Sequence, residues 1–322
     1  MVQFVHKKDK VPHEKVYHYD VVILGGGPAG LTAAIYSSRY NMKTEVITVN
    51  IGGAAMLAPK IENYPGYEGS GIDLMNKFHE QALKFGAKFL HEEIVKVSRD
   101  VKDKGFVIET KNEKQIHTKT IILALGTERR KLKIPGEDEF LGRGVSHCVT
   151  CDGNFFKKKE VVVIGGGNAA CGAALMMKDI ASKVYIMNKN DSLRCEPFSA
   201  SKIDETKNIE LLNNSMPEEI KGDKVVSEII YKRDNKKKSL KINGVFIEVG
   251  SIPVTLVAQS LGVLTDKDGY VNINEHMETN ISGVYAAGDA VKGKLKQVVV
   301  AASQGALAAK SAYDFCCKLE EK

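Results

Sequence analysis

Tryptophan is missing from the 322 residues, and only eight are proline. No apolar run approaches the roughly 18 residues that a membrane-spanning helix needs, so no membrane partner is expected. The first twenty residues, MVQFVHKKDKVPHEKVYHYD, mix charge with histidine and hold no apolar h-region. A secretory leader is therefore not expected, which points to the cytoplasm, and the stretch before Tyr19 reads as a polar extension. Charge of one sign is also in short supply: 46 basic against 40 acidic residues leave a formal net charge of +6. The densest basic cluster, Lys232, Arg233, Lys236, Lys237, Lys238 and Lys241 around Asp234-Asn235, has no interleaved aromatics on which bases could stack. It reads as a solvated hairpin tip, and no nucleic-acid partner is expected.

Cysteine is scarce and poorly spaced for metal. Of the six, only Cys148 and Cys151 have C-x-x-C spacing, so a four-ligand zinc site lacks its second half and no metal is expected. Nor are the six a disulfide framework in a cytosolic chain of this size. Cys171, after a glycine-rich turn, reads as a small packing residue. The vicinal Cys316-Cys317 lies in AAKSAYDFCCKLEEK, whose spacing suits a terminal helix. With 43% apolar and 27% charged residues, the chain has a globular composition and enough length for two domains.

One physical device occurs twice. Asp20-Val21-Val22-Ile23-Leu24 runs into Gly25-Gly26-Gly27-Pro28-Ala29-Gly30 and an apolar helical pattern from Leu31. Val161-Val162-Val163-Ile164 runs into Gly165-Gly166-Gly167-Asn168-Ala169-Ala170 and a second such pattern from Cys171. Strand, G-x-G-x-x-G/A turn and helix together are the context that lifts this motif above chance. The first glycine makes the turn, the second admits a pyrophosphate, and the third position stays small so that helix packs on strand. The helix N-terminus offers the phosphates its free N–H groups and positive dipole end. Two such copies predict two dinucleotide sites. Second strands are expected at Thr44–Val49 and Lys183–Met187. A further strand should deliver Asp289 to a glycine turn ahead of an alanine-rich helix from about Val298 to Tyr313. Between the second unit and that strand, alternating Val/Ile and Lys suggest antiparallel strands.

The remaining motif is Cys148-Val149-Thr150-Cys151-Asp152-Gly153. Two sulfurs at this spacing can close a small disulfide ring, and placement at a helix start depresses a thiol pKa. Asp152 could carry a proton to or from a departing thiolate. Taken alone, C-x-x-C could also be half a metal site or chance.

Taken in order, GGGPAG at 25–30, Gly52-Gly53, ENYPG at 62–66, LGT at 125–127, CVTCDG at 148–153, GGGNAA at 165–170 and GVYAAGDA at 283–290 resemble the low-molecular-weight thioredoxin reductase family. The match runs from about Tyr19 to the C-terminus. The resemblance implies an α/β chain with two Rossmann-like dinucleotide-binding domains, three-layered, each a parallel sheet with an antiparallel β-meander. An FAD domain of residues 1–125 and 249–322 would hold an inserted NAD(P)-type domain, 126–248, carrying the cysteines. FAD would lie along Gly25, Gly27, Pro28, Ala29 and Gly30, with Gly53, Asn63, Gly126, Gly288 and Asp289 around it. Gln297 would stand beside the isoalloxazine, with Lys296 and Val298 also binding the cofactor. NADPH or NADH would take Gly165, Gly167, Asn168, Ala169, Ala170, Lys189 and Arg194. Cys148, Cys151 and Asp152 would be catalytic, in a homodimer reducing a thioredoxin-like or glutaredoxin-like protein disulfide. Rotation of the inserted domain would make hinges of Thr118–Arg130 and Asn243–Pro253.

The departures bear on the electron donor. Where the family reads His-Arg-Arg-x-x-x-Arg, this chain reads Asn188-Lys189-Asn190-Asp191-Ser192-Leu193-Arg194. Lys296-Gln297-Val298 replaces Arg-Gln-Ala, and Ala54 follows Gly52-Gly53 where Gln is common. Val49-Asn50 ends the first unit's second strand without an acid, which leaves the ribose to Asn50 or to backbone. Three other readings stand beside the disulfide reductase: a thiol oxidase passing electrons to oxygen, a reductase with a non-pyridine-nucleotide donor, and a flavin-bound redox sensor. A ferredoxin–NADP reductase would leave Cys148, Cys151 and Asp152 unexplained.

Overall fold

Val21, Val22, Ile23 and Leu24 show no polar alternation, the pattern of a strand covered on both faces, and all four are fully buried. They lie in β1 (Tyr17–Gly26) of a computed structural model that describes residues 17–58, 60–100, 105–254 and 256–321. After β1 come α1 (Pro28–Arg39), β2 (Thr44–Ile51), the ribbon β3 (Ile61–Tyr64) and β4 (Tyr67–Gly69), α2 (Gly71–Lys84) and β5 (Lys88–Leu90). Then follow β6 (Ile94–Asp100), β7 (Gly105–Thr110) and β8 (Gln115–Leu123). The sheet order is β5-β2-β1-β8-β7-β6, parallel from β5 to β8 and antiparallel through β7 and β6.

The next segment opens with β9 (Thr127–Arg129), β10 (Val145–Ser146), α3 (Val149–Asp152), β11 (Glu160–Ile164), α4 (Asn168–Met177), β12 (Lys183–Met187), α5 (Pro197–Asp204) and β13 (Ile209–Leu212). It continues with β14 (Ser215–Gly222), β15 (Val226–Arg233), β16 (Lys236–Lys241), β17 (Gly244–Ile247) and β18 (Ser251–Pro253). Here β10-β17-β11-β12-β13 is a parallel sheet and β14-β15-β16 an antiparallel one. The chain then closes with α6 (Leu256–Ser260), β19 (Val284–Ala286) and α7 (Val298–Glu320). β19 returns to the first sheet, pairing parallel with Ile121–Leu123 of β8. The chain thus divides into Met1–Gly126 with Pro253–Lys322 as one unit and Thr127–Ile252 as a second, inserted one.

Each unit has two apolar layers because successive strand residues point to opposite faces. Val21 and Ile23 pack with Ala29, Ala33, Ala301 and Ala308 of α1 and α7, while Val22 and Leu24 pack with Val97, Phe106 and Ile108 of the meander. In the inserted unit Val161 and Val163 face α4 through Ala170 and Ala174, and Val162 and Ile164 face Ile220, Ile229 and Tyr231. Complete burial of one such side chain is worth about 1.5–3 kcal/mol.

Thr118–Leu123 and Gly244–Ile247, expected to lie in hinges, are instead strand residues inside the two sheets. The crossings narrow to the junctions at 126/127 and 252/253. The return crossing falls later than 248 because β9 pairs with β18 and Arg130 N–H donates to the Gly250 carbonyl at 3.0 Å.

Helix α7 approaches α1 where both carry small residues. A Cβ on Gly305 would be driven into the Ala29 carbonyl oxygen, whereas a Cβ on Gly172 of α4 would meet nothing within 4 Å. Gly305→Ala should therefore lower stability by about 1–3 kcal/mol. Gly172→Ala should be neutral or stabilising by up to about 1 kcal/mol. Urea denaturation of the two variants checks the contrast, and equal effects would show that the α1–α7 approach is not tight.

Candidate active site

At the first turn, β1 hands over to α1 through Gly25 at φ +112°, a left-handed conformation that favours glycine. A Cβ on Gly30 would be driven into the Gly25 carbonyl, so the third motif position is small by necessity. In front of the turn the opposite holds: a Cβ on Gly27 would meet nothing within 4 Å. The first-turn amides of the twelve-residue α1 thus begin at an open position, with Pro28 contributing no N–H of its own. Thr48 fixes the turn from β2, its hydroxyl accepting from Gly26 N–H at 3.0 Å and donating to the Asn50 carbonyl at 2.9 Å. Gly52 N–H donates to the Gly26 carbonyl at 2.6 Å, and Gly53 stands next to Gly27.

Residues far apart in the chain converge on this turn. Gly288, at φ +77°, lies against Ala29, and its N–H donates to Gln304 Oε1 of α7 at 2.9 Å. Asn63 Nδ2 donates to Gln297 Oε1 at 3.0 Å, and Val298 packs with Leu31 and Ile61. Gly126, at φ +67°, follows the end of β8 and accepts from Val254 N–H at 3.1 Å. The Asp289 carboxylate accepts no hydrogen bond among the described residues. Burial pushes its carboxyl above the usual range, with Lys296 opposing. A partly buried acceptor without a protein donor fits a ligand that brings hydroxyl groups. Lys296 does not reach outward: Nζ donates to the carbonyls of Asp289 (2.9 Å) and Val291 (2.6 Å) and lies 4.3 Å from the Tyr270 ring centre.

The second turn is built the same way. A Cβ on Gly165 would be driven into the Glu248 carbonyl, and Gly167 again faces open space ahead of Asn168, Ala169 and Ala170. The loop after β12 is pinned to it twice, by Arg194 N–H on the Gly166 carbonyl at 2.6 Å and Glu196 N–H on Asn168 Oδ1 at 2.7 Å. Asn188, only 1% exposed, shapes that loop from inside. Its Nδ2 donates to the Ser192 carbonyl at 2.7 Å, and its Oδ1 accepts from the backbone and side-chain nitrogens of Asn190, each at 3.2 Å. Lys189 and Arg194 are left exposed on the loop surface.

Cys148 and Cys151 form a disulfide with their Cα atoms 5.3 Å apart. Cys148 caps the short α3, its Sγ accepting from Cys151 N–H at 3.1 Å. Asp152 Oδ2 accepts from the Ser146 hydroxyl at 2.6 Å, and the same hydroxyl oxygen accepts from Cys148 N–H at 2.9 Å. Val149 and Phe156, on either side, pack into the cluster that includes Ala170 and Ala174 of α4. The disulfide therefore sits on the same side of the inserted sheet as the helix of the second turn.

The other cysteines stand apart from this centre. Cys171 is fully buried beside Cys195, and burial raises its thiol well above the ordinary range. Cys316 is buried in α7 with its thiol pushed up to about 11 by burial, and Cys317 remains a free thiol next in the chain. Asp234 and Asn235, at φ +50° and +60°, form the tip between β15 and β16 that carries the basic cluster. Among the described residues no helix is long and apolar enough to cross a membrane. Ser146, Thr48 and Gln304 had no sequence signal of their own, since each acts on a backbone group or carboxylate brought close only by folding, and Asn188 stood out only as a departure in the donor motif, not as the residue that holds its loop.

A family described as pyridine nucleotide-disulphide oxidoreductase matches residues 19–305. Thioredoxin reductase of Bacillus subtilis (strain 168) is 37% identical over 313 residues, covering 96% of this chain and 97% of its own. The Lactococcus lactis thioredoxin reductase crystal structure in its FR conformation superposes with a TM-score of 0.90 at 38% identity, over 93% of this chain and 99% of that one. That of T. acidophilum thioredoxin reductase gives 0.87 at 36% identity, over 92% and 98%.

Removing the Asn188 amide leaves buried groups unpaired, at about 1–3 kcal/mol. Asn188→Ala should therefore loosen residues 188–194, and trypsin should cut after Lys189 or Arg194 faster than in the unaltered protein. An unchanged cleavage rate would show that the amide does not hold the loop.

Proposed function

The chain belongs to the pyridine nucleotide-disulphide oxidoreductase family, among its low-molecular-weight thioredoxin reductases, and on that footing we propose that it passes electrons from a reduced donor to a thioredoxin-like protein disulfide. The observation that carries this reading is the Cys148–Cys151 disulfide at the start of α3, with Asp152 hydrogen-bonded beside it. Gly25, Gly27, Pro28, Ala29, Gly30, Gly53, Gly126 and Gly288 would hold FAD, with Asn63, Asp289, Gln297 and Val298 around it. When bound, FAD supplies a two-electron carrier. Lys296 takes part by holding the 289–291 backbone.

Two electrons entering the S–S bond break it and leave two sulfurs, one of which takes a proton from Asp152. The dithiol then reduces the partner: one thiolate attacks its disulfide, and the second cysteine displaces the mixed disulfide and closes the ring again. A glutaredoxin-like disulfide is the alternative substrate. The proposed setting is the cytoplasm, with a homodimer as the working unit.

The donor is the second question. A 2′-phosphate prefers the planar, bidentate grip of arginine. The loop after β12 offers Lys189 and Arg194 at its surface, while Asn188 is committed to the loop interior. Each lost charge-assisted bond weakens binding by about 1.5–3 kcal/mol, so losing one or two weakens NADPH roughly tenfold to ten-thousandfold. Weak, little-discriminating use of NADPH and NADH is the proposal, with a different reduced carrier as the alternative donor.

The purified protein should be yellow and release FAD, not FMN, on denaturation; colourless protein that takes up no FAD would overturn the reading. Cys148→Ser or Cys151→Ser should abolish disulfide reduction while flavin stays bound, and Asp152→Asn should slow it on the order of a hundredfold. Rapid reoxidation by air without a disulfide substrate would favour the thiol oxidase instead. In steady-state assays, a micromolar KM for NADPH with strong preference over NADH would sink the proposed donor tolerance, and Asn190→Arg should improve NADPH use.

A further inference from the structure

Beside the disulfide stands a side chain that the reaction described above does not yet use. β10 ends at Ser146, aligned with Phe246 of β17, and the backbone stays extended to Cys148 at φ −142°, ψ 98°. Alternation along an extended chain puts Ser146 and Cys148 on one side and His147 on the other. Ser146 is 4% exposed. Its oxygen lies 2.6 Å from Asp152 Oδ2, 2.9 Å from Cys148 N and 3.3 Å from the Cys148 carbonyl. No other hydrogen bond among the described residues reaches the Asp152 carboxylate.

A serine hydroxyl has one hydrogen and two lone pairs, so it can accept from Cys148 N–H and still bond the Asp152 carboxyl in either of its protonation states. With a carboxylate, the hydroxyl accepts from Cys148 N–H and donates to Oδ2. With a carboxylic acid, the acid O–H donates to Ser146 and the serine hydrogen turns to the Cys148 carbonyl. The oxygen atoms need not move between the two. Ser146 and Asp152 also line a cavity of about 250 Å³ with Arg143 and the exposed Phe155, which gives the carboxyl a route to solvent protons.

We propose that Ser146 is a positioning residue for the thiol–disulfide step, holding the Asp152 carboxyl beside Cys148 in both its charged and its neutral form. The inference rests on the reading of Asp152 as proton donor. When the Cys148–Cys151 bond takes up two electrons, both sulfurs leave as thiolates. Asp152 gives its proton to one, and the Ser146 hydroxyl turns to the new carboxylate. The proton is recovered from solvent and the hydroxyl turns back.

The test is a double-mutant cycle on the flavin-loaded protein with a thioredoxin substrate, after circular dichroism and flavin absorbance have confirmed folding. Ser146→Ala should lower kcat roughly tenfold, the equivalent of one hydrogen bond to a charged group, with KM for the protein substrate unchanged. In the Asp152→Asn background the same substitution should change nothing further, because Ser146 acts through Asp152. Ser146→Thr, which keeps a hydroxyl, should restore the rate; if the alanine variant does not fold, Ser146→Gly removes the same group. A rate unaffected by Asp152→Asn would reject Asp152 as the acid. A slow Asp152→Asn with an unimpaired Ser146→Ala would reject Ser146 alone. An equal loss from Ser146→Ala in both backgrounds, or a threonine variant as slow as alanine, would make its role structural and overturn the proposal.

Discussion

The closeness of α1 to β1 is the constraint on which the rest depends. No side-chain atom fits between Gly30 and the Gly25 carbonyl, so the helix begins directly over the end of the strand. Its N-terminus is thereby aimed past Gly27 into open space, where a phosphate would meet free amides and the positive end of the helix dipole. Other elements reach the same turn by equally close approaches: Gly53 to Gly27, Gly288 to Ala29, and Gly305 to the Ala29 carbonyl. The inserted unit reproduces the arrangement at Gly165, with Ala170 in place of the third glycine and Arg194 N–H tying down the following loop. Both units therefore solve one problem, how to bring a helix end to an anion without side chains in the way.

The thiol chemistry depends on a different local device. A cysteine at the head of a helix lies where backbone N–H groups favour sulfur as an anion, and Cys148 Sγ already accepts one of them. The carboxylate four residues beyond the cap points back toward the same strand through Ser146. Packing of Val149 and Phe156 against the α4 layer fixes the short helix, which has too few residues to be stable alone.

Motifs whose meaning is local were legible in the sequence. The glycine turns, the C-x-x-C helix start and the tip at Asp234-Asn235 each depend on residues within a few positions of one another. The extents of the connectors were not, because β8 and β17 are buried strands whose last residues run into the crossings without a change of composition. Ser146, Thr48 and Gln304 were silent for another reason, as was the structural use of Asn188. A hydroxyl or amide has no spacing rule, and its partner is supplied by a different element. Lys296 shows the limit in reverse: its charge could be read from sequence, but its use in holding two carbonyls could not.

The discontinuity of the first unit also sets an order of events during synthesis. The glycine turn of β1 leaves the ribosome before the inserted unit, but Gly288, Gln304 and Gly305, which close around it, leave after that unit. The inserted unit is one continuous stretch and can complete its own sheet while β19 and α7 are still being made. The nascent chain therefore holds a finished disulfide-bearing unit before the first glycine turn is enclosed. β1 must wait, paired with β2 and β8 but uncovered on its α7 face, for α7 to arrive. In that interval Val21 and Ile23, buried in the finished fold, are the surface a chaperone would meet.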